Sequence, residues 1–431
     1  MHTRRRKALS VKIVHVNTHD VWGGAALAAH RLHIGLRKIG QESMMFVAQR
    51  DGPGQDVVRF VPPVDFRSRL VRTLRRKSLA RAMNRYAKSR PANAGLFNDD
   101  RSQHDDAPFH QIPPCDILNL HWISEFLDCR SLFDWVPRRM PVVWTLHDMN
   151  SFTGGCHFDS GCGKYRSNCG ECPQLGSSEL HDLSRQVWNR RRKAYGLISP
   201  AQLQLVTPSR WMAKEVRQSS LLGRFPVTVI PNGVDVDAFA PRDRDFARDV
   251  LGLPRDAKVL IFAAHTVGEQ RKGFSILVEA VKGLREVQNL HLLSVGGYSE
   301  LQQLGIPYHR LGYISNERLL SIVYSAADLC VAPTVQDNLP NIAIEALACG
   351  TPVVGFKVGG MLDIVRDDRA GLLVPLGDAQ ALREGIRHML ASPVALAEKS
   401  IHCRQIAVEE YSIRRQARDY VNLYGSFDGR S

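Results

Sequence analysis

The chain has 431 residues, a length that asks for two or three domains and excludes a single small fold. With 44% apolar and 23% charged residues, 33 Gly and 22 Pro, it reads as globular, and collagen-like, coiled-coil and disordered chains are excluded. The formal charge of +14 is local: Arg4, Arg5, Arg6 and Lys7, together with Arg67, Arg69, Arg72, Arg75, Arg76, Lys77, Arg81, Arg85, Lys88 and Arg90, carry all of it. Such confinement points to a local anionic partner rather than to a nucleic-acid footprint spread over the fold. No window reaches the roughly 18 consecutive apolar residues of a spanning helix. Lys12 and His15 interrupt the run after the basic N-terminus, so neither a transmembrane span nor a signal peptide is expected. Nine cysteines, an odd number, argue for reduced thiols or metal ligands over a disulfide framework.

In chain order, the first strand is expected over Val11–Val16, followed by a loop to Val21, Trp22-Gly23-Gly24 and a helix over Ala25–Arg37. Strand-like runs follow at Ser43–Ala48, Asp116–His121, Pro141–His147 and Gln202–Thr207, with a helix over Ser209–Gln218. The alternation then restarts. Strands are expected at Lys258–Ala264, Leu290–Val295, Asp328–Ala332, Pro352–Phe356 and Gly371–Val374. Helices fall near Phe274–Leu284, Asn316–Ser325, Pro340–Ala348 and Ala379–Ala391. Short apolar strands separated by helices indicate parallel sheets with right-handed crossovers. The chain thus reads as an α/β protein of two similar domains, 1–228 and 229–410, joined at the turn-rich Val229–Asp235, with a last helix in 411–431 that packs back across the junction. Ligands of such folds bind outside the carboxyl ends of the strands, here in an interdomain cleft.

The most informative stretch runs from Pro333 to Val354: a strand end, a loop, a helix opening near Pro340, a Cys349-Gly350 stop and another strand. Asp337 and Glu345 straddle the helix start. Pro340 at a first helical position and the backbone N–H groups of Asn338–Asn341 make an anion cradle, because a helix N-terminus carries partial positive charge. A diphosphate fits there, and Glu345 could accept hydrogen bonds from sugar hydroxyls. The bland alternative makes Asp337 a helix cap and Glu345 a surface charge. In the first half, Gly23 and Gly24 lack Cβ and let backbone approach a ligand. His147, with Asp148 beside it, ends a strand where catalytic groups cluster; a satisfied structural histidine is the alternative there.

These segments, with Leu146-His147-Asp148, Pro208-Ser209, Ile230–Asp235, Lys272-Gly273 and Leu311-Gly312-Tyr313, closely resemble the retaining glycosyltransferases of family 4. The resemblance covers nearly the whole chain. It implies the GT-B fold of two facing Rossmann-like domains, an acceptor-binding one and a donor-binding one, and a nucleotide-sugar donor. It implies that Glu345 binds the donor ribose, that Asp337 and the backbone of Asn338 and Leu339 contact the donor sugar, that Lys272 binds the diphosphate, and that His147 contacts the donor sugar. Gly23, Gly24, Arg271, Tyr313 and Pro340 complete the donor-binding set. Two departures stand out. Asp337 occupies a place where Glu is commoner, and the Arg that usually precedes the Lys is missing, Ala263-Ala264-His265 standing in its place. Arg271 is the candidate replacement, with a solvated side chain as its alternative.

Cleavage of an anomeric carbon–phosphate bond mainly demands charge stabilisation on the leaving diphosphate. Lys272, Arg271 and the helix start meet that demand, so no catalytic cofactor or divalent ion is required. Nor is there a carboxylate pair of the kind retaining glycosidases use. The resemblance therefore implies a front-face transfer of a hexose from a UDP- or GDP-sugar to a saccharide acceptor. The competing activities are a sugar phosphorylase, a nucleotide-sugar epimerase, or a non-catalytic anionic-surface binder on the same scaffold.

Two further segments carry chemistry. Cys156, Cys162, Cys169 and Cys172, within an insertion over about 154–173, suit a tetrahedral structural Zn²⁺, with disulfides and reduced thiols as competing readings. The segment 66–90 places Phe66, Leu70, Leu74, Met83 and Tyr86 at spacings that partly fit one helical stripe among basic residues. Such a helix can lie on an anionic bilayer; a solvated linker is the alternative, and with only Phe66 and Tyr86 to stack on bases it does not suit nucleic acid. The resulting expectation is a cytoplasmic enzyme, peripheral at the inner face of the plasma membrane, acting on a polyprenyl-diphosphate-linked or other saccharide acceptor in exopolysaccharide assembly.

Overall fold

The computed structural model describes residues 11–297 and 304–427, so the basic run Arg4–Lys7 lies outside the described residues. The first half contains β1 (Lys12–His19), α1 (Gly24–Lys38), β2 (Glu42–Gln49), β3 (Val57–Arg59), α2 (Phe66–Asn84), β4 (Ile117–Leu120), α3 (Cys129–Trp135), β5 (Val142–Thr145), α4 (Leu183–Tyr195), β6 (Leu203–Thr207), α5 (Arg210–Gln218) and β7 (Val227–Val229). The second contains α6 (Arg244–Leu251), β8 (Lys258–Thr266), α7 (Phe274–Lys282), β9 (Leu290–Gly297), β10 (Tyr308–Arg310), α8 (Glu317–Ala326), β11 (Leu329–Ala332), α9 (Asn341–Ala348), β12 (Val353–Phe356), α10 (Met361–Ile364), β13 (Gly371–Val374), α11 (Ala379–Leu390) and α12 (Pro393–Glu410), before the terminal α13 (Ile413–Gly425).

Two compact units result. Unit 1 takes the chain up to Val206, Val216–Thr228 and the end from Ala417; unit 2 takes Thr207–Glu215 and Val229–Gln416. Helix α13 therefore begins in unit 2 and finishes in unit 1, where the Tyr420 hydroxyl meets Thr145 Oγ1 at 2.8 Å and the Tyr424 hydroxyl accepts from Asn119 Nδ2 at 2.9 Å.

Unit 1 is built on a sheet of order β3-β2-β1-β4-β5-β6-β7 and unit 2 on one of order β10-β9-β8-β11-β12-β13. The pairings about β1 and β4, and those about β8 and β11, are parallel. In both sheets the strand order reverses beside the first strand, at β1/β4 and at β8/β11. The loops leaving those two strands diverge there and open a crevice at their carboxyl ends. Strand β8 shows why it forms: Val259, Ile261 and Ala263 feed one apolar core and Leu260, Phe262 and Ala264 the other, as expected for a strand covered on both faces.

Three differences from the sequence reading have physical causes. Strand β1 continues through Asn17 and Thr18, which were expected in a loop. Their polar side chains are satisfied across the sheet: Asn17 Oδ1 accepts from Trp122 N–H at 2.7 Å, and Thr18 Oγ1 donates to Ser124 O at 2.8 Å. The three-residue edge strands β3, β7 and β10 were missed because they are too short to show alternation. Helix α2 ends at Asn84, and Tyr86 is not part of an exposed stripe. It is buried in a cluster with Phe97, Cys156, Cys172 and Leu183, and its hydroxyl accepts from Leu183 N–H at 3.0 Å.

Candidate active site

In unit 2, the loop after β8 ends in a short turn at Gln270–Lys272, and the loop after β11 runs over Pro333–Pro340. Gly273 joins them: its φ is +72°, and a Cβ there would lie 1.8 Å from Pro333 O, so only glycine lets the two backbones meet. Val335 N–H donates to Arg271 O at 2.9 Å, fixing the register of the two loops. The consequence is a charged cluster. Lys272 Nζ lies 2.6 Å and Arg271 NH1 3.0 Å from Asp337 Oδ2, and Arg271 also contacts Glu269 Oε1 at 2.8 Å. Burial pushes the Asp337 carboxyl upward, but Lys272 and Arg271 outweigh it and hold the group below the usual carboxylate range. Burial opposes the charge on Arg271, while Asp337 and Glu269 raise its pKa. Arg271 is therefore a partner of the cluster, the solvated alternative being overturned.

The segment Asp337–Pro340 is buried and closely packed. Asn338 Oδ1 accepts from Ser209 Oγ at 2.7 Å, and a Cβ on Gly359 would fall 2.0 Å from Asp337 O. Leu339 is 5% exposed. Pro340 precedes α9, which has no side-chain cap; Ala343 N–H donates to Pro340 O at 3.1 Å, and the positive dipole end of the helix stands next to Asp337. Asp337 is thus an ion-pair partner and not a helix cap. Glu345 is no surface charge either: it is 5% exposed on α9, and its Oε2 accepts the Tyr324 O–H at 3.0 Å. Burial and the nearby Glu345 push the Tyr324 phenol well up. His265 and Tyr313 sit edge to face, ring centres 5.5 Å apart, at the end of β8 and after β10. Burial lowers the His265 pKa; Glu269 opposes this and Lys272 adds to it. Tyr324 was not singled out in the sequence, and Ser209 only as part of a matching segment, since only folding brings them to Glu345 and Asn338.

In unit 1, Gly23 caps α1 with φ +87°, at the end of the short loop that follows β1, and Gly24 opens the helix. His147 follows β5 and is half-buried. Its Nε2 meets His121 Nδ1 at 2.9 Å, and His121 Nε2 meets His15 Nδ1 at 2.9 Å, so three imidazoles from the ends of β5, β4 and the middle of β1 form a string. Burial lowers all three, His147 to about 4 and the inner pair well below their ordinary value. Asp148 faces His157, whose Nδ1 lies 2.6 Å from its Oδ2, and also accepts from Trp122 Nε1 at 3.0 Å. Burial raises the Asp148 pKa, and His157 overcomes that to leave it lowered. The sequence reading missed His15, His121 and His157; spread over more than a hundred positions, they carry no spacing signal.

The four clustered cysteines all carry free thiols, and among the described residues no group of three or more His, Cys, Asp or Glu is arranged to hold a metal. Burial raises the thiols of Cys156, Cys162, Cys169 and Cys172, and for Cys156, Cys169 and Cys172 the neighbouring cysteines of the cluster add to the rise. Cys156 and Cys172 instead pack with Tyr86, Phe97 and Leu175 in an apolar cluster.

Two parallel-sheet Rossmann-like units, each with polar groups gathered at its strand-order reversal, define an α/β protein of the GT-B type. Residues 22–238 match the model of Glycosyltransferase Family 4, and residues 257–392 that of Glycosyl transferases group 1. The chain belongs to glycosyltransferase family 4. It is 27% identical over 313 residues to the putative colanic acid biosynthesis glycosyl transferase WcaC of Escherichia coli, covering 71% of this chain and 73% of that one. It is 34% identical over 190 residues to D-inositol 3-phosphate glycosyltransferase 2 of Catenulispora acidiphila, covering 40% of this chain. That match spans only 44% of the relative's length. The fold is shared with Anabaena HepE in complex with UDP-glucose, at a TM-score of 0.63 and 17% identity, over 96% of this chain and 100% of that one.

Proposed function

We propose that the chain transfers a hexose from a UDP- or GDP-sugar to a saccharide acceptor with retention of anomeric configuration. The observation that carries this reading is the Arg271–Lys272–Asp337 cluster at the β8/β11 reversal, next to the start of α9. Two cations and a helix N-terminus are suited to the diphosphate of a departing nucleotide, where charge develops as the anomeric bond breaks. Asp337 keeps both cations in place until the diphosphate takes them over. Glu345, held by Tyr324 in the first turns of the same helix, takes a ribose hydroxyl in this reading. His147 is assigned to the donor sugar. HepE, a fold relative, is known with UDP-glucose, which supports the donor class. No catalytic metal enters this scheme.

Helix α2 supports an anionic membrane as partner, and with it a cytoplasmic, membrane-peripheral location and a lipid-linked acceptor in exopolysaccharide assembly. None of its residues is buried. Phe66, Leu70 and Leu74 follow one stripe and are exposed, with Val61 and Val64 nearby. Arg75 anchors the opposite side through Asp105 at 2.7 Å and Asp128 at 3.1 Å. Arg67, Arg69, Arg76, Lys77 and Arg81 are exposed, and each such charge adds about 1 kcal/mol at an anionic surface.

Product analysis tests the transfer: incubation with UDP- and GDP-sugars and saccharide acceptors, read by NMR of the anomeric proton, should give a product of retained configuration. A product of inverted configuration, or phosphorolysis without transfer, would overturn it. Vesicle flotation tests the partner. The protein should float with phosphatidylglycerol vesicles and not with phosphatidylcholine, and the combined change Arg67→Glu, Arg69→Glu, Lys77→Glu should abolish flotation.

A further inference from the structure

From the imidazole string of unit 1 we infer that His15 and His121 act as positioning residues that fix His147 in its Nδ1–H tautomer, making it a hydrogen-bond donor toward the ligand rather than a base. This rests on the reading that His147 contacts the donor sugar. The reasoning starts at the buried end. His15 is fully buried, and its Nε2 has no hydrogen-bond partner. A proton placed there would be a buried donor with no acceptor, which costs more than a bare ring lone pair. His15 therefore carries its proton on Nδ1 and donates to His121 Nε2, 2.9 Å away. That nitrogen, now an acceptor, leaves the His121 proton on Nδ1, which donates to His147 Nε2, also at 2.9 Å. His147 Nε2 accepts, so its proton must be on Nδ1.

Reversing the string would strand an N–H in the core beside His33, whose ring centre is 6.3 Å from that of His15. Charging any member would put an imidazolium among neutral, buried rings. The rings of His121 and His147 stack at 21° with centres 5.2 Å apart, so the string also fixes the plane of the outer ring. A neutral N–H donor suits a sugar hydroxyl or phosphate oxygen, and it removes no proton from the acceptor.

The test uses the full chain labelled with ¹⁵N-histidine, with His147 assigned by the signal lost in His147→Gln. Long-range ¹⁵N–¹H correlation at neutral pH should show Nδ1 protonated and Nε2 bare. A proton on Nε2, or on both nitrogens, would overturn the inference. A second arm uses kinetics. His121→Leu should lower kcat/KM about tenfold, and His121→Asn, whose amide N–H can replace the Nδ1–H, should recover to within about threefold of the parent. Equal losses in both variants count against positioning. The two readings fail separately: a product of inverted configuration, or phosphorolysis without transfer, removes the proposed function while leaving the tautomer result standing.

Discussion

The two units share one architecture, yet the groups at their strand-order reversals are opposites. Unit 1 gathers neutral imidazoles, drawn from β1, β4 and β5 and held neutral by burial. Unit 2 gathers charges: Arg271 and Lys272 against Asp337 and Glu269. A parallel sheet fixes where side chains converge but not their electrostatics, which follow from the residue types on the loops. One reversal is therefore suited to uncharged hydroxyls and the other to a diphosphate.

Acid should separate the units most. Six histidines of unit 1 have lowered pKa values among the described residues, against His265 and His291 in unit 2. His33, lowered to about 4, binds its proton more readily unfolded, so its contribution is present above pH 6.5 and is lost as pH falls toward 4. The loss is on the order of 3 kcal/mol for this residue alone. Asp337 has the same sign but a lower window: its lowered pKa stabilises above the ordinary carboxylate range, and that contribution is lost only as pH falls below about 4. Normalised hydrogen-exchange protection should thus fall in β1 and β4 between pH 6.5 and 4 before it falls in β8 and β11. Simultaneous loss would break the contrast.

Gly273→Ala should cost unit 2 about 2–4 kcal/mol, read from a urea midpoint, because the new Cβ collides with Pro333 O. Lys272→Ala should lower turnover about hundredfold, equal to roughly 2.7 kcal/mol of barrier. Unchanged turnover would show that unit 2 does not stabilise a leaving diphosphate. Smallest is Asp337→Asn: with the competing carboxylate gone, UDP should bind about fivefold more tightly by calorimetry, a change of ~1 kcal/mol, while turnover falls.

Much of this was legible along the chain. Alternating apolar runs with turn residues between them announce the α/β fold, and Asp337 and Glu345 sit in a segment whose local pattern of strand end, loop and helix start marks them, whereas Lys272 was named through the family resemblance. Arg271 was legible only as a candidate, because its aim depends on the loop folding back at Gly273. That Cys156 and Cys172 join an apolar cluster with Tyr86 and Phe97 was not legible from the spacing of the cysteines. Tyr86 continued a helical spacing past the point where the helix stops.

By itself, then, the amino-acid order determined the periods, the breaks between them and the residue types on each loop, since these are local properties of short windows. Folding alone decided that His15, His121 and His147 form one hydrogen-bonded string and that Tyr324 meets Glu345. Such contacts join positions far apart in the chain, and no window holds both partners.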